Sequence, residues 1–123
     1  MIHLLDSNII IYAASPDYAG LADFLEQKKL AVSMISYIEV LGYHKLTTQA
    51  KDDLESFFAA TKVVQVTDEI AQKAVELRQI KRSSLGDSII AATALVENLI
   101  LVTRNTKDFG WVPGLSLIDP IKE

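Results

Sequence analysis

Short apolar segments alternate with segments of helical pattern along this chain, and this alternation constrains the fold more than any other feature. The apolar segments that we predict to be strands are residues 2–5, 30–35, 62–66, 99–103 and 115–118. Strands separated by helices usually pair in parallel, and helices then cover both faces of the sheet. The sequence therefore predicts an α/β fold, a three-layer α/β/α sandwich with a central parallel sheet. A chain of 123 residues can bury one hydrophobic core, so we expect a single domain over residues 1–123.

Polar residues that cap helices mark the first predicted helix starts. Asp6-Ser7-Asn8 precedes an apolar segment at residues 9–14, and the Ser-Pro-Asp sequence at residues 15–17 ends that helix and begins the next. Ser36 and Glu39 have the spacing of a capping box. This spacing predicts that Glu39 lies in the first turn of a third helix.

The later helices have similar signals. Thr47 and Thr67 are expected to begin the fourth and fifth helices, and Ser84 stands in capping-box spacing from Asp87. Asp87 opens a segment that is apolar on nearly every side as far as residue 96. A helix that is apolar all round is buried, so this one is expected to lie inside the molecule.

The composition excludes several classes of function. The chain has no cysteine and a net charge of −4, from 12 basic and 16 acidic residues. Disulfides and thiolate metal sites are therefore excluded. The negative charge argues against nucleic-acid binding through overall charge, although not against a local basic track or acids that hold metal ions. No apolar segment is long enough to span a bilayer and the start does not look like a signal peptide, so we expect a cytoplasmic protein without a membrane partner.

Acidic and amide side chains follow the predicted strands, at the edge where ligands bind in open α/β sheets. Asp6 ends the first strand, Glu39 follows the second, and Asn105 and Asp108 follow the fourth. Asp87 joins this group only if the N-terminus of its helix points to the same edge of the sheet. Each residue has a simpler explanation as a helix cap or a loop acid. Their coincidence at one edge favours a shared site.

Converging carboxylates repel one another and raise one another's pKa unless a cation neutralises them. Oxygen ligands without cysteine or a nearby histidine suit Mg²⁺ or Mn²⁺, which activate water and stabilise charge on a phosphate. Basic side chains lie near the same edge, because Arg104 and Lys107 follow the fourth strand and Lys81 and Arg82 precede Asp87. These side chains form either a phosphate-binding track or a solvated surface, and the sequence favours neither.

Other chemistries have weaker support. His3 lies in a predicted strand and His44 in a predicted helix, so both are expected to be structural or exposed. No nucleophile elbow, Walker A loop or dinucleotide-binding glycine motif is present. A phosphoacceptor domain would need an acid pair after the first strand, and a two-aspartate phosphatase would need an acid where Asn8 stands, so both are disfavoured.

Four segments, in the same order and spacing, resemble the PIN domain. They are residues 4–12 (LLDSNIIIY), 36–40 (SYIEV), 86–94 (GDSIIAATA) and 101–109 (LVTRNTKDF). The resemblance covers essentially the whole chain and is strongest to the VapC-type ribonuclease toxins of toxin–antitoxin pairs. It implies a PIN-like fold and a metal-dependent endoribonuclease that uses Mg²⁺ or Mn²⁺.

The resemblance also implies which residues form the site. Asp6, Glu39 and Asp87 match the first three acids of the family. The fourth position lies between Asn105 and Asp108, because many relatives have an acid at the former and others have one directly before the phenylalanine. We take Asp108 as the fourth acid and Asn105 as a neutral ligand or substrate contact.

Neighbouring residues have supporting roles by the same resemblance. Ser7 stands where threonine is frequent and is expected to hydrogen-bond a metal-bound water. Thr103 and Arg104 are expected to support the acids or contact the substrate. Gly86 replaces a common proline, which removes no ligand.

The expected partners are an RNA substrate, a second copy of the chain in a homodimer, and a small antitoxin that docks beside the site on an exposed apolar face. The alternative is a catalytically inactive PIN-like module that binds RNA or protein. Asn105, in place of an acid, is the feature that favours this alternative.

Overall fold

A computed structural model describes residues 1–13 and 18–121 of the chain. Its described part contains one sheet of five parallel strands in the order β3-β2-β1-β4-β5. The strands are β1 (Ile2–Leu5), β2 (Lys29–Ser33), β3 (Lys62–Val64), β4 (Ile100–Val102) and β5 (Leu117–Ile118). The predicted parallel sheet is confirmed, with each strand within a few residues of its expected position.

The helices lie between these strands. Within the described residues they are α1 (Ser7–Ala13), α2 (Ala19–Glu26), α3 (Met34–Leu41), α4 (Thr48–Ala59), α5 (Asp68–Ile80), α6 (Leu85–Val96) and α7 (Thr106–Phe109). The predicted end of the first helix at Ala14 and the boundary at residues 15–17 lie outside the described residues. No helix in the described part of the chain is long and apolar enough to cross a membrane.

The central strand β1 separates two hydrophobic cores. Successive side chains of a strand point to opposite faces of a sheet. Leu4 accordingly packs with the core beneath α5 and α6, whereas Leu5 packs with the core beneath α1 to α4. Helices therefore cover both faces of the sheet, and the predicted three-layer α/β/α sandwich is confirmed.

The predicted caps of the later helices are also confirmed. The hydroxyls of Thr47, Thr67 and Ser84 accept hydrogen bonds from backbone N–H groups in the first turns of α4, α5 and α6. Most of α6 is buried, as its apolar composition predicts. In a parallel α/β fold a helix runs back against its strands, so the N-terminus of α6 lies at the carboxyl edge of the sheet.

The start of α3 was predicted wrongly. Ser33 is its N-cap, with the Ser33 hydroxyl accepting a 3.1 Å hydrogen bond from the Ile35 N–H. The helix thus begins at Met34, two residues before Ser36, and Glu39 lies in its second turn. Ser36 is fully buried inside the helix, so the Ser36–Glu39 spacing reflects two neighbouring positions on one helix face and not a capping box.

Two smaller predictions also differ from the structure. The polar sequence of residues 104–109 predicts a loop, but it contains the short helix α7, which Asn105 precedes. The sequence also predicts that Lys81 and Arg82 lie in the last turn of the fifth helix, but that helix ends at Ile80, and Arg78 is the basic residue of its last turn.

Candidate active site

A cavity of about 240 Å³ lies at the carboxyl ends of β1 and β4, beside the N-terminus of α6. Its lining contains Asp6, Ser7, Asn8, Ile11, Glu39, Asp87, Ile90 and Asn105. We call it the acidic cavity. It brings three of the four predicted acids to one place, together with the amide side chain of Asn105.

Asp6 is almost completely buried at the end of β1. Its Oδ1 accepts a 2.8 Å hydrogen bond from the Ile9 N–H, and its Oδ2 accepts a 2.5 Å hydrogen bond from the Thr103 hydroxyl. Burial raises the pKa of Asp6, the hydrogen bonds from Thr103 and the start of α1 oppose this effect, and the charge of Glu39 adds to it. Asp6 is thus both the cap of α1 and a carboxylate of the acidic cavity.

Glu39 is held at the cavity by a neighbouring hydroxyl. Ser7 donates a 2.8 Å hydrogen bond to Oε1 of Glu39, and a 2.9 Å hydrogen bond joins the Ser7 and Ser36 hydroxyls. The backbone of Gly86 passes close to the same carboxylate, because a Cβ atom at position 86 would lie 2.6 Å from Oε2 of Glu39. The missing side chain of Gly86 therefore leaves room for the Glu39 carboxylate.

Asp87 lies in the first turn of α6 and faces the same cavity, so the orientation that the sequence left open brings it to the other acids. Its N–H donates a 3.1 Å hydrogen bond to the Ser84 hydroxyl. Burial raises the pKa of Asp87, the nearby charge of Asp108 raises it further, and Asp6 and Glu39 add smaller contributions. The four predicted acids therefore interact electrostatically through Asp87.

The residues after β4 divide between two cavities. Asn105 lines the acidic cavity, and its N–H donates a 3.0 Å hydrogen bond to the Thr103 hydroxyl. Asp108 lies in α7 and lines an adjoining cavity, which shares Asp87 with the acidic one. The structure thus brings Asn105 beside Asp6 and Glu39, and brings Asp108 beside Asp87.

Arg104 contacts an aromatic side chain of α1 and one that directly precedes α2. Its guanidinium carbon lies 5.7 Å from the ring centroids of both Tyr12 and Tyr18, which is cation–π distance. Lys107, the other predicted flanking base, lines the adjoining cavity with Asp108. The two basic residues therefore lie on different sides of the acids.

The side chains of the site suit a hard divalent cation. The donors are carboxylate, amide and hydroxyl oxygens, and two of the carboxylates have a raised pKa that a bound cation would lower. Within residues 1–13 and 18–121, no three Asp, Glu, His or Cys side chains form a ready-made cluster for one ion.

Sequence reasoning did not assign a site role to Ser36. The sequence signal was its position three residues before Glu39, which puts both side chains on one face of α3. Ile11 and Ile90, which form apolar walls of the cavity, carried no comparable signal, because apolar residues in helices usually belong to a core.

The fold and these acids define the class of protein. The sequence matches the PIN domain family over residues 3–113, and the chain belongs to that family. Among curated relatives, ribonuclease VapC2 of Rickettsia felis is 30% identical, covering 95% of this chain and 96% of its own length. Ribonuclease VapC10 of Mycobacterium tuberculosis is 32% identical, covering 86% and 84%.

Solved structures give the same result. The chain is 32% identical to a chain of a toxin–antitoxin complex from Klebsiella pneumoniae, with a TM-score of 0.83 and coverage of 98% and 99%. It is 27% identical to a chain of VapBC2 from Rickettsia felis bound to a DNA fragment from its promoter, with a TM-score of 0.84 and coverage of 96% and 98%. The similarity therefore extends over the whole fold.

Proposed function

We propose that this protein is a metal-dependent endoribonuclease, the toxin of a toxin–antitoxin pair. The observation that carries the proposal is the acidic cavity, where Asp6, Glu39 and Asp87 converge at the carboxyl edge of the sheet. The names of the curated relatives as VapC ribonucleases support the reaction class. The similarity to a chain of a toxin–antitoxin complex supports the biological class.

We propose that Asp6, Glu39, Asp87 and Asp108 hold Mg²⁺ or Mn²⁺, with Asn105 as a neutral ligand or substrate contact. Such an ion supplies an activated water and stabilises negative charge on the phosphate. Metal dependence is general among the PIN-domain VapC ribonucleases. Burial is the main cause of the raised pKa values of Asp6 and Asp87. These values support the assignment, since a bound cation would favour the ionised form of both carboxylates.

The surrounding hydroxyls keep the acids in place. Thr103 holds Asp6, Ser7 holds Glu39, and Ser84 caps the helix turn that carries Asp87. Hydrogen bonds from hydroxyl to carboxylate favour the ionised form, which is the form that binds a cation. These residues act through the acids and need not touch the RNA.

An apolar groove of about 320 Å³ lies next to the acidic cavity and is our candidate for the antitoxin site. It is lined by Ile11, Val40, Tyr43, Leu46, Ala50, Asp53 and Leu54. Ile11 also lines the acidic cavity. A helix of the antitoxin bound in this groove would therefore lie against the active site, which gives a direct route to inhibition.

We also propose that the protein forms a homodimer and acts in the cytoplasm. Exposed apolar side chains on α5 and at the start of α6 offer a surface for a second copy, namely Val75, Ile80 and Leu85. An exposed apolar patch of this kind is typical of a protein–protein contact.

Cleavage by the purified protein tests the proposed reaction. A labelled mixture of bacterial RNAs is incubated with the wild type, Asp87→Asn and the matched control Asp52→Asn, which changes an exposed acid of α4. We expect metal-dependent cleavage by the wild type and by Asp52→Asn, and its loss in Asp87→Asn. Equal cleavage by Asp87→Asn would contradict the mechanism.

The second candidate is a PIN-like module that binds RNA or protein without cutting. The observation that favours it is the amide of Asn105 in the acidic cavity, where an acid would add a ligand. The same experiment distinguishes the two functions, because the wild type of an inactive module would cut no RNA with either metal.

A further inference from the structure

Beside the acidic cavity lies a larger one of about 650 Å³, between the α5–α6 connection and α7. Four basic side chains line it, Arg78, Lys81, Arg82 and Lys107. We call it the basic cavity. The chain has 12 basic residues and a net charge of −4, so a third of its positive side chains face this one cavity.

In the part of the chain that the structure describes, none of these four cations forms a salt bridge within 4.0 Å. Lys81 lies over the ring of Trp111 at 5.8 Å, a contact that leaves its charge uncompensated by an anion. Asp87 and Asp108 also line the cavity. Four cations against two carboxylates leave it with a net positive charge, which favours a ligand with negative charge.

The wall of the basic cavity offers further polar groups. The hydroxyl of Ser83 is buried and has no hydrogen-bond partner among the residues that the structure describes. Trp111 is fixed by a 2.9 Å hydrogen bond from its Nε1 to the Asp108 carbonyl. Proteins that bind single-stranded nucleic acids combine aromatic rings, on which bases stack, with basic side chains that contact the phosphates. Trp111 and the four cations are such a combination.

The position of the basic cavity identifies the ligand within the proposed reaction. Asp87 lines both the acidic and the basic cavity. A phosphodiester held at the acids is part of a polymer, so its neighbouring nucleotides must lie beside it. On the other side Arg104 is a single cation, in contact with Tyr12 and Tyr18, whereas the basic cavity gathers four cations next to Asp87.

Resting on the proposed ribonuclease function, we infer that the basic cavity binds the backbone of the RNA strand next to the bond that is cut. Lys81, Arg82 and Lys107 contact phosphate oxygens, and Trp111 forms the apolar wall. Contacts of this kind position a strand and do not read its sequence. The basic cavity therefore determines how tightly RNA binds, whereas other contacts determine which RNA is chosen.

The salt dependence of RNA binding tests this inference. Every protein carries Asp6→Asn, which lies outside the basic cavity and is expected to prevent cutting. The test variant adds Lys81→Ala and Lys107→Ala, and the matched control adds Lys51→Ala and Lys62→Ala, exposed residues of α4 and β3. Binding of a labelled single-stranded RNA is measured between about 50 and 300 mM salt.

We expect the slope of log Kd against log salt to fall by about 1.4 in the test variant, since each lost phosphate contact removes about 0.7 for a single strand. The affinity at low salt should fall by about tenfold or more. The control should keep both values. Thermal unfolding of both variants checks that these exposed substitutions leave the fold intact.

An unchanged slope and affinity in the test variant would overturn the inference. The inference would also be overturned if the test variant lost binding to an acidic peptide such as polyglutamate but kept its RNA binding. That result would assign the basic cavity to a protein partner. Cutting is measured separately with proteins that keep Asp6. If such a protein cuts RNA but the slope is unchanged in the test variant, the RNA-binding role of the basic cavity is refuted and the nuclease function is not. If the slope is reduced in the test variant but the protein with Asp6 cuts no RNA, the nuclease function is refuted and the RNA-binding role of the basic cavity is supported. A protein that neither binds nor cuts RNA refutes both proposals.

Discussion

The Thr103 hydroxyl joins two strand ends that are 97 residues apart in the chain, by donating a 2.5 Å hydrogen bond to Oδ2 of Asp6. The same hydroxyl accepts a hydrogen bond from the Asn105 N–H. Thr103 is fully buried and Asp6 nearly so. This one side chain therefore orders a carboxylate of the acidic cavity and the loop that follows β4.

We expect Thr103→Val to lower both stability and activity. The substitution keeps the shape but leaves the buried Oδ2 of Asp6 and the partly buried N–H of Asn105 without their hydrogen bonds to Thr103, which costs about 1–3 kcal/mol. Because the Thr103 hydrogen bond lowers the pKa of Asp6, its loss should raise that pKa, and the acidic limb of the rate–pH profile should move to higher pH. Denaturant unfolding and a pH profile measure the two effects. Thr103→Ser should largely restore both, and a Thr103→Val protein with the profile of the wild type would contradict this role.

Gly86→Ala is predicted to reduce cleavage without unfolding the protein. The added Cβ would meet the Glu39 carboxylate at 2.6 Å, and the flexible end of the Glu39 side chain must then leave its position beside Ser7. Gly20→Ala in α2 is a matched control, because nothing lies within 4 Å of a Cβ there. It should keep activity and gain up to about 1 kcal/mol from helix propensity. Equal activity of the two variants would show that the position of Glu39 is unimportant.

Neutralising Asp87 should stabilise the metal-free protein at neutral pH. The pKa of Asp87 is higher in the folded protein than in the unfolded chain. The free energy of unfolding therefore falls as the pH rises from the pKa of the unfolded state to that of the folded state. Asp87→Asn removes this loss and should unfold at a higher temperature than the wild type near pH 7 without metal. A wild type that is the more stable of the two under these conditions would contradict the pKa argument.

With a divalent metal present, the wild type should become more stable than Asp87→Asn. A ligand at 100 times its Kd stabilises the native state by about 2.7 kcal/mol, so Mn²⁺ should raise the unfolding temperature of the wild type. Asp87→Asn should lose most of this shift, and the shift in the wild type should shrink as the pH falls through the raised pKa values of Asp6 and Asp87. Asp52→Asn is the control, and an equal Mn²⁺ shift in Asp87→Asn would exclude Asp87 as a ligand.

A charge in the apolar groove is predicted to block the antitoxin. Ala50→Glu puts a carboxylate among apolar side chains, and burying it without a partner costs several kcal/mol. Binding of the cognate antitoxin, measured by calorimetry, should weaken by at least about tenfold, or 1.4 kcal/mol. Ala71→Glu on the exposed face of α5 is the control. Unchanged antitoxin binding by Ala50→Glu would exclude the groove.

Much of the fold could be predicted because its signals are local. Apolar segments and capping threonines report on a few neighbouring residues, and the starts of α4 and α5 at Thr47 and Thr67 followed from them. The predicted start of α3 was wrong because both Ser33 and Ser36 are possible caps. Ser33 is the cap because β2 ends at this residue. That choice depends on the register of the sheet, which is not a local signal.

The site could be predicted only in part for the same reason. Asp6, Glu39 and Asp108 were proposed from their places after the strands, but the contact of Thr103 with Asp6 depends on the pairing of β1 with β4. The short helix α7 separates Asn105 from Asp108 and directs them to different cavities. A helix of four residues has too little sequence pattern to be recognised in advance.

The most direct test of the central claim is made in a bacterial host. The wild type, Asp87→Asn and Asp52→Asn are induced separately, growth is followed, and new 5′ ends are mapped across the cellular RNA. We predict growth arrest with discrete new ends for the wild type and Asp52→Asn, and neither effect for Asp87→Asn. The account would be contradicted if folded Asp87→Asn protein produced the same arrest and the same RNA ends as the wild type.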